Sequence, residues 1–170
     1  MEELRRRLAR DVDAAFPDLV AAVRDDLYGG LRRLHPREAE DLAQETLIRA
    51  YRALQGYEPA QIRTMNLRGW LWTIALNLGR NLARDRARRP QPVEFEDRHG
   101  VEDPELPDVE AWDARLSRLT SRQRRAVVLR HVVGLSYAEI AGVLGVPEGT
   151  ARADVHRGLT RLRTIMEVER

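Results

Sequence analysis

The chain has 170 residues, with 29 basic and 27 acidic side chains, a net charge of +2 and no cysteine. A hydrophobic share of 43% and a charged share of 33% fit a soluble globular chain; the lack of Cys excludes disulfides and thiolate metal sites. No apolar run approaches the roughly 20 residues that cross a bilayer, and the start, Met1 to Arg7, lacks the apolar stretch of a signal peptide, so membrane insertion is not expected and a cytoplasmic location is.

Residues 16–34 place Phe16, Leu19, Val20, Val23, Leu27, Leu31 and Leu34 at spacings of three and four, one face of a helix. Gly29-Gly30 weakens that helix, and His35-Pro36 ends it. A second helix is predicted from about Arg37 to Leu54 on Leu42, Ala43, Leu47, Ala50, Tyr51 and Leu54, with Gly56 and Pro59 marking its exit into a polar loop. A third runs from Leu67 to about Arg88 on Trp70, Leu71, Ile74, Ala75, Leu78 and Leu82, until Pro90 and Pro92 stop it. Residues 90–110 hold four prolines and many acids, too little apolar surface to offset the entropy of ordering, so 91–111 is expected to be a flexible acidic linker.

Beyond it, Trp112, Leu116 and Leu119 suggest a helix. Thr120 with Gln123 reads as a capping box for a helix carrying Val127, Val128, Leu129 and Val132, which Gly134 ends. Ser136 with Glu139 is a second capping box, opening Tyr137–Leu144; Gly145-Val146-Pro147 makes a tight turn. A last helix from about Glu148 to Met166 has Ala151, Val155, Leu159 and Leu162 as its expected buried stripe. No long alternating β-branched runs occur, so no sheet is expected. The fold class is all-α: two small helical domains, 1–90 and 112–170, joined by the acidic linker, with a helix-turn-helix in the second.

Charge is segregated. Residues 63–90 carry seven Arg and one acid, 91–114 one Arg and nine acids, and 115–170 eleven Arg and five acids. Every basic residue is Arg, always charged and able to fork onto phosphates and guanine edges. Two basic blocks around an acidic one suit a polyanion partner. On the last helix Arg152, His156 and Arg157 lie opposite the apolar stripe, where a major-groove helix meets bases and phosphates; Thr150 and the first-turn amides suit a DNA phosphate. A plain helical hairpin with a solvated basic face is the alternative.

The run from Leu135 to Arg152, followed by His156-Arg157, resembles the promoter-reading C-terminal domain of extracytoplasmic-function (ECF) RNA polymerase sigma factors, as does Leu119 to Leu129 upstream. Glu38 to Leu54 resembles the family segment that grips the clamp helices of the polymerase largest subunit, and Leu67 to Leu82 the segment that melts and reads the minus-ten element. The resemblance covers roughly residues 12–165. It implies a sigma region 2-like domain over 1–90 and a region 4-like domain over 112–170. Asp41, Gln44 and Glu45 would bind core polymerase. Arg63, Asn66, Arg68, Trp72, Asn77, Arg80 and Arg84 would contact minus-ten DNA, with the base pocket in the Gln61–Arg68 loop and the Arg84–Arg89 cluster as a phosphate track. Thr150, Arg152, His156 and Arg157 would contact the minus-thirty-five element. Trp70 is expected in the core, and core packing is the alternative for Trp72. Capture of unstacked bases beside a basic track would open DNA without ATP. The resemblance also implies promoter-specific transcription initiation and an anti-sigma partner clamping both domains. The linker's negative charge by itself would suit basic polymerase channels, or serve equally as a solubilising tether.

Four positions depart from the family pattern: Asp154 where a basic residue is usual, Ala151 where Val is frequent, Gly158 for Ala, and Asn81 for Asp. Asp154 is expected to face DNA, repelling phosphate or selecting a cytosine amino group, and Gly158 to loosen the helix by about 1 kcal/mol. Three other readings compete. A free-standing helix-turn-helix regulator accounts for 115–170 but not the earlier motifs. A sigma homologue with decayed promoter reading would follow from Asp154 and Gly158. An enzyme is not expected: His35, His99, His131 and His156 are scattered, with no metal spacing, no nucleophile-base pattern and no phosphate loop, and no cofactor is implied.

Overall fold

The computed structural model describes residues 1–88 and 109–169. Nine helices occur among them: α1 (Glu2–Arg10), α2 (Val12–Leu34), α3 (Ala39–Gly56), α4 (Pro59–Thr64), α5 (Leu67–Arg88), α6 (Val109–Ser117), α7 (Ser121–His131), α8 (Tyr137–Leu144) and α9 (Glu148–Val168). The described residues contain no strand.

The three long helices of the first half stand where periodicity places them, and two short ones are additional. Helix α1 buries Leu8 and Ala9, and Asp11 then caps α2 by accepting from Ala14 N at 3.0 Å. Helix α4 occupies part of the expected polar loop, with Pro59 in its first turn and Ile62 buried. The Gln61–Arg68 stretch is therefore helical at both ends. The expected linker lies mostly outside the described residues, and its last residues, from Val109, open helix α6.

In the second half both predicted capping boxes form. Thr120 Oγ1 accepts from Gln123 N at 3.3 Å and Ser136 Oγ from Glu139 N at 3.1 Å, while each partner side chain reaches back to the cap amide. Gly145 closes α8 in the left-handed region (φ 66°), a conformation glycine reaches without steric cost. The buried stripe of α9 differs from expectation. It consists of Ala151, Asp154, Val155, Gly158, Leu162 and Ile165, whereas Leu159 is 38% exposed. Val132 is likewise exposed, and Val133 is buried in its place.

The two halves do not stand apart. One apolar cluster runs through both, joining Leu27, Leu31, Trp72 and Leu76 to Val127, Val133, Leu135 and Ile140. A second cluster lies wholly in the first half, centred on Leu8, Leu19, Leu54, Ile62 and Leu71. Helix α5 packs on α8 and α2 on α7.

Candidate nucleic-acid and polymerase interface

Helix α9 carries the assigned upstream residues. Arg152 is exposed; its guanidinium lies 4.3 Å from the Tyr137 ring centroid and 3.1 Å from Glu148 Oε1. Arg130 approaches the same ring at 4.7 Å, so Tyr137 fixes two cations by cation–π attraction. His156 is exposed one turn on, and Thr150 is half-buried in the first turn. Pro147 precedes that turn with no side-chain cap, and its carbonyl accepts from Thr150 N at 3.0 Å. Arg118, Gln123 and Arg161 join His156 and Arg157 around a shallow cleft beside α9. These three are absent from the sequence-based assignment, although Arg161 follows Arg157 at helical spacing.

Asp154 does not face DNA. It is 2% exposed. Its Oδ2 accepts from Arg122 Nε at 2.6 Å and its Oδ1 from Arg157 Nη2 at 2.6 Å. Burial alone would raise its pKa, but the hydrogen bonds from Arg122 and Arg157 outweigh that and hold the carboxyl below its ordinary value. The acid therefore ties α9 to α7 and positions the Arg157 side chain, which stays about half exposed. Gly158 is also structural: a Cβ there would lie 2.5 Å from Val127 Cγ2, so glycine sets how closely α9 approaches α7.

The assigned minus-ten residues split into two groups. Asn77, Arg80 and Arg84 are exposed along one face of α5, with Arg80 Nη2 donating to Asn77 Oδ1 at 3.1 Å, and Arg63 is exposed on α4. Asn66, Arg68 and Trp72 make contacts within the protein, Asn66 while remaining exposed, Arg68 half-buried and Trp72 buried. Asn66 Oδ1 accepts from Gly69 N at 3.1 Å, and its Nδ2 donates to Glu139 Oε1 at 2.9 Å. Arg68 donates to Asp26 Oδ2 at 3.0 Å and to the carbonyl of Val133. Trp72 is 3% exposed and in this arrangement offers no ring face to a base. Its ring sits over Gly30, where a Cβ would meet it at 2.5 Å; the glycine expected to weaken α2 is the seat of this indole. Trp70 is half-buried, 5.9 Å from Tyr57 between ring centroids.

On α3, Asp41 and Gln44 are exposed and Glu45 is half-buried, holding Arg49 Nε at 2.6 Å. Leu42, Thr46 and Ala50 face inward. The acid–amide surface is thus presented as its helical spacing implies. Leu159, Trp112, Val132 and Met166 stand exposed around an apolar groove between α6, α7 and α9. No helix among the described residues is long and apolar enough to cross a membrane, and none of those residues form a group of metal-ligating side chains.

Comparison with known proteins agrees with both halves. The Sigma-70 region 2 family matches residues 19–89, and the Sigma-70, region 4 family matches residues 110–162. ECF RNA polymerase sigma factor SigE of Mycolicibacterium smegmatis is 39% identical over 166 residues, covering 88% of this chain; the chain spans 62% of that protein's length. ECF RNA polymerase sigma factor EcfG of Rhodopseudomonas palustris is 33% identical over 171 residues, covering 95% of this chain and 86% of that one. Among solved structures, the sigma factor RpoE in complex with the anti-sigma factor NepR, from Bartonella quintana, is similar with a TM-score of 0.74 and 27% identity, over 91% of this chain and 98% of that one. With one family covering each half in the expected order, and a relative such as EcfG matched along most of its length, the chain belongs to the ECF class of RNA polymerase sigma factors.

Proposed function

We propose that this chain binds core RNA polymerase through Asp41, Gln44 and Glu45 and directs it to promoters through two DNA contacts. The upstream contact is α9 in the major groove, with Arg152 and His156 toward base edges and Arg157 toward phosphate. The downstream contact is a single strand laid along Asn77, Arg80 and Arg84 of α5, its unstacked bases reaching Asn66, Arg68 and Trp72. Chain order supports a 1–90 unit for polymerase and downstream DNA and a 112–170 unit for upstream DNA. The chemistry is recognition, with no catalytic step of its own, and its place is the cytoplasm, where polymerase acts.

The observation that carries this reading is α9. Its inward side is closed by apolar packing and the Asp154 ion pairs, so its outward side is left to Arg152, His156 and Arg157. An anti-sigma factor is the proposed regulator, by analogy with the RpoE complex. The exposed patch of Trp112, Val132, Leu159 and Met166 is a suitable protein-binding surface for it.

Reconstitution with core polymerase on a promoter library tests the assignment. Arg152→Ala is expected to lower upstream selectivity about tenfold, the value of one good base contact. Asp41→Ala with Gln44→Ala is expected to weaken core binding while leaving α9 intact. Unchanged run-off transcription in both variants would overturn the assignment.

A further inference from the structure

We infer that Arg5, on the first helix, is a positioning residue for the downstream-strand contact: it pins the junction between α4 and α5 from which Asn66 and Arg68 are presented. The inference rests on the assignment of those two residues to the downstream element. Helix α1 lies before residue 19, where the Sigma-70 region 2 match begins, and takes no part in that match.

Helix α4 cannot place itself. It has six residues and buries only Ile62, and an isolated helix of that length is unstable in water. Its support is α1, which packs on it; Leu8 and Ala9 share an apolar cluster with Ile62, Leu67 and Leu71. Only Met65 and Asn66 separate the end of α4 from the start of α5. The amides that open α5 go to Asn66, Gly69 N to its Oδ1 at 3.1 Å and Trp70 N to its carbonyl at 2.9 Å. The Met65 carbonyl is taken instead by Arg5 Nη1, at 3.2 Å and 60 residues away in sequence. A part-buried carbonyl needs such a partner, so loss of the donor would free the junction to turn. Arg5 Nε is buried with no hydrogen-bond partner among the described residues. That burial is unfavourable and is offset by the Nη1 bond and the packed stem.

Arg63, Asn66 and Arg68 all stand within three residues of Met65. A cleft of about 400 Å³ lies beside the Arg5 bond, with Arg5, Thr64, Asn66 and Arg68 in its wall. Arg5 therefore acts through the loop, by holding the position at which Asn66 meets a base. A residue acting in this way sets discrimination between bases, whereas the sequence-independent attraction of the strand comes from phosphate contacts.

The test is run-off transcription by the full chain with core polymerase. The templates are the strongest promoter recovered from the library and derivatives substituted at single downstream positions. Discrimination is the ratio of run-off between two templates with one protein sample, so a smaller folded fraction or a weaker general attraction to DNA cancels. Arg5→Met keeps an apolar stem and removes the donor. It is expected to lower downstream discrimination about threefold to tenfold, the fold-change that corresponds to one hydrogen bond, with upstream discrimination as in wild type. Arg5→Lys returns a donor and is expected to restore discrimination to within about twofold of wild type. Wild-type discrimination in Arg5→Met, an equal fall at both elements, or an Arg5→Lys chain no better than Arg5→Met would overturn the positioning role. Should Arg5→Met give too little run-off to compare templates, amide hydrogen exchange of the free chain decides. The Met65 and Gly69 amides are then expected to exchange at least about fivefold faster than in wild type, with those of α3 unchanged; equal exchange would overturn the pin. Asn66→Ala separates this role from the reading beneath it. If Asn66→Ala leaves downstream discrimination unchanged, the pocket assignment fails; if Asn66→Ala lowers it and Arg5→Met does not, only the positioning role fails.

Discussion

Gly158→Ala isolates the packing of α9 on α7. Helix propensity alone favours Ala by about 1 kcal/mol. The added methyl, however, would stand 2.5 Å from Val127 Cγ2, with Gln123 O at 3.5 Å and Gln123 Cβ at 3.6 Å behind it. Val127 is 5% exposed and β-branched, so its methyl has no free rotamer to retreat into. Overpacking of this kind costs about 1–3 kcal/mol, which outweighs the propensity gain, and the net expectation is a destabilisation of about 1 kcal/mol. Val127→Ala alone should also destabilise, by about 1–2 kcal/mol through the cavity it leaves. When the two are combined, the methyl added at position 158 fills the space vacated by Val127, and the double variant should recover at least about 0.5 kcal/mol relative to the sum. Equilibrium urea unfolding of all four proteins completes the cycle. Stabilisation of the single Gly158→Ala variant, as propensity alone would give, refutes the close-approach account.

Two further outcomes follow from the ion pairs and caps. Asp154→Asn replaces a carboxylate that accepts from two guanidiniums and should cost about 2 kcal/mol at pH 7. Because the folded-state pKa is depressed, the carboxylate's contribution is present above the ordinary Asp range and is lost as pH falls below about 4. The stability gap between wild type and Asp154→Asn should accordingly close in acid, and a gap that stays constant down to about pH 3 would exclude the ion pairs as its source. Ser136→Ala removes the acceptor for Glu139 N and should cost about 1 kcal/mol, visible as an earlier urea midpoint with little change in slope.

Local chemistry wrote much of this fold into the sequence. The spacing of Leu19, Val23, Leu27 and Leu31 marks α2, and the Thr120–Gln123 and Ser136–Glu139 pairs mark helix starts, because each signal lies within a few helical turns. Helices α1 and α4 left no such mark because each contributes only one or two buried residues, too few for a periodicity. The exposure of Asp41 and Gln44 on α3 and of Arg152 and His156 on α9 follows from the same local spacing. The fates of Asn66, Arg68 and Trp72 do not: Glu139 is 73 residues from Asn66 and Val133 is 65 from Arg68. No pattern within a single helix encodes which polar group a distant turn will occupy. Leu159 misled in the opposite sense, since helical spacing places it near the stripe while α9 buries the neighbouring Asp154, Val155, Gly158 and Leu162 face instead.

The two departures in α9 that read as damage to promoter recognition are better understood as one device. Arg122 belongs to the first turn of α7, and Asp154 reaches it only because α9 lies close against that helix. Gly158, one turn beyond Asp154, permits the approach by leaving room for Val127. The ion pair in turn draws Arg157 back along α9, so that its guanidinium is held at 2.6 Å from Asp154 Oδ1 while remaining in solvent. A basic residue at 154 would bring a third cation toward Arg122 and Arg157, and a methyl at 158 would push apart the helices that the ion pair joins. Acid and glycine therefore compensate for each other on the buried side of α9. The exposed side keeps Arg152 braced between Glu148 and Tyr137. Loss of promoter reading does not follow from either departure, because neither one stands on the surface that DNA would meet.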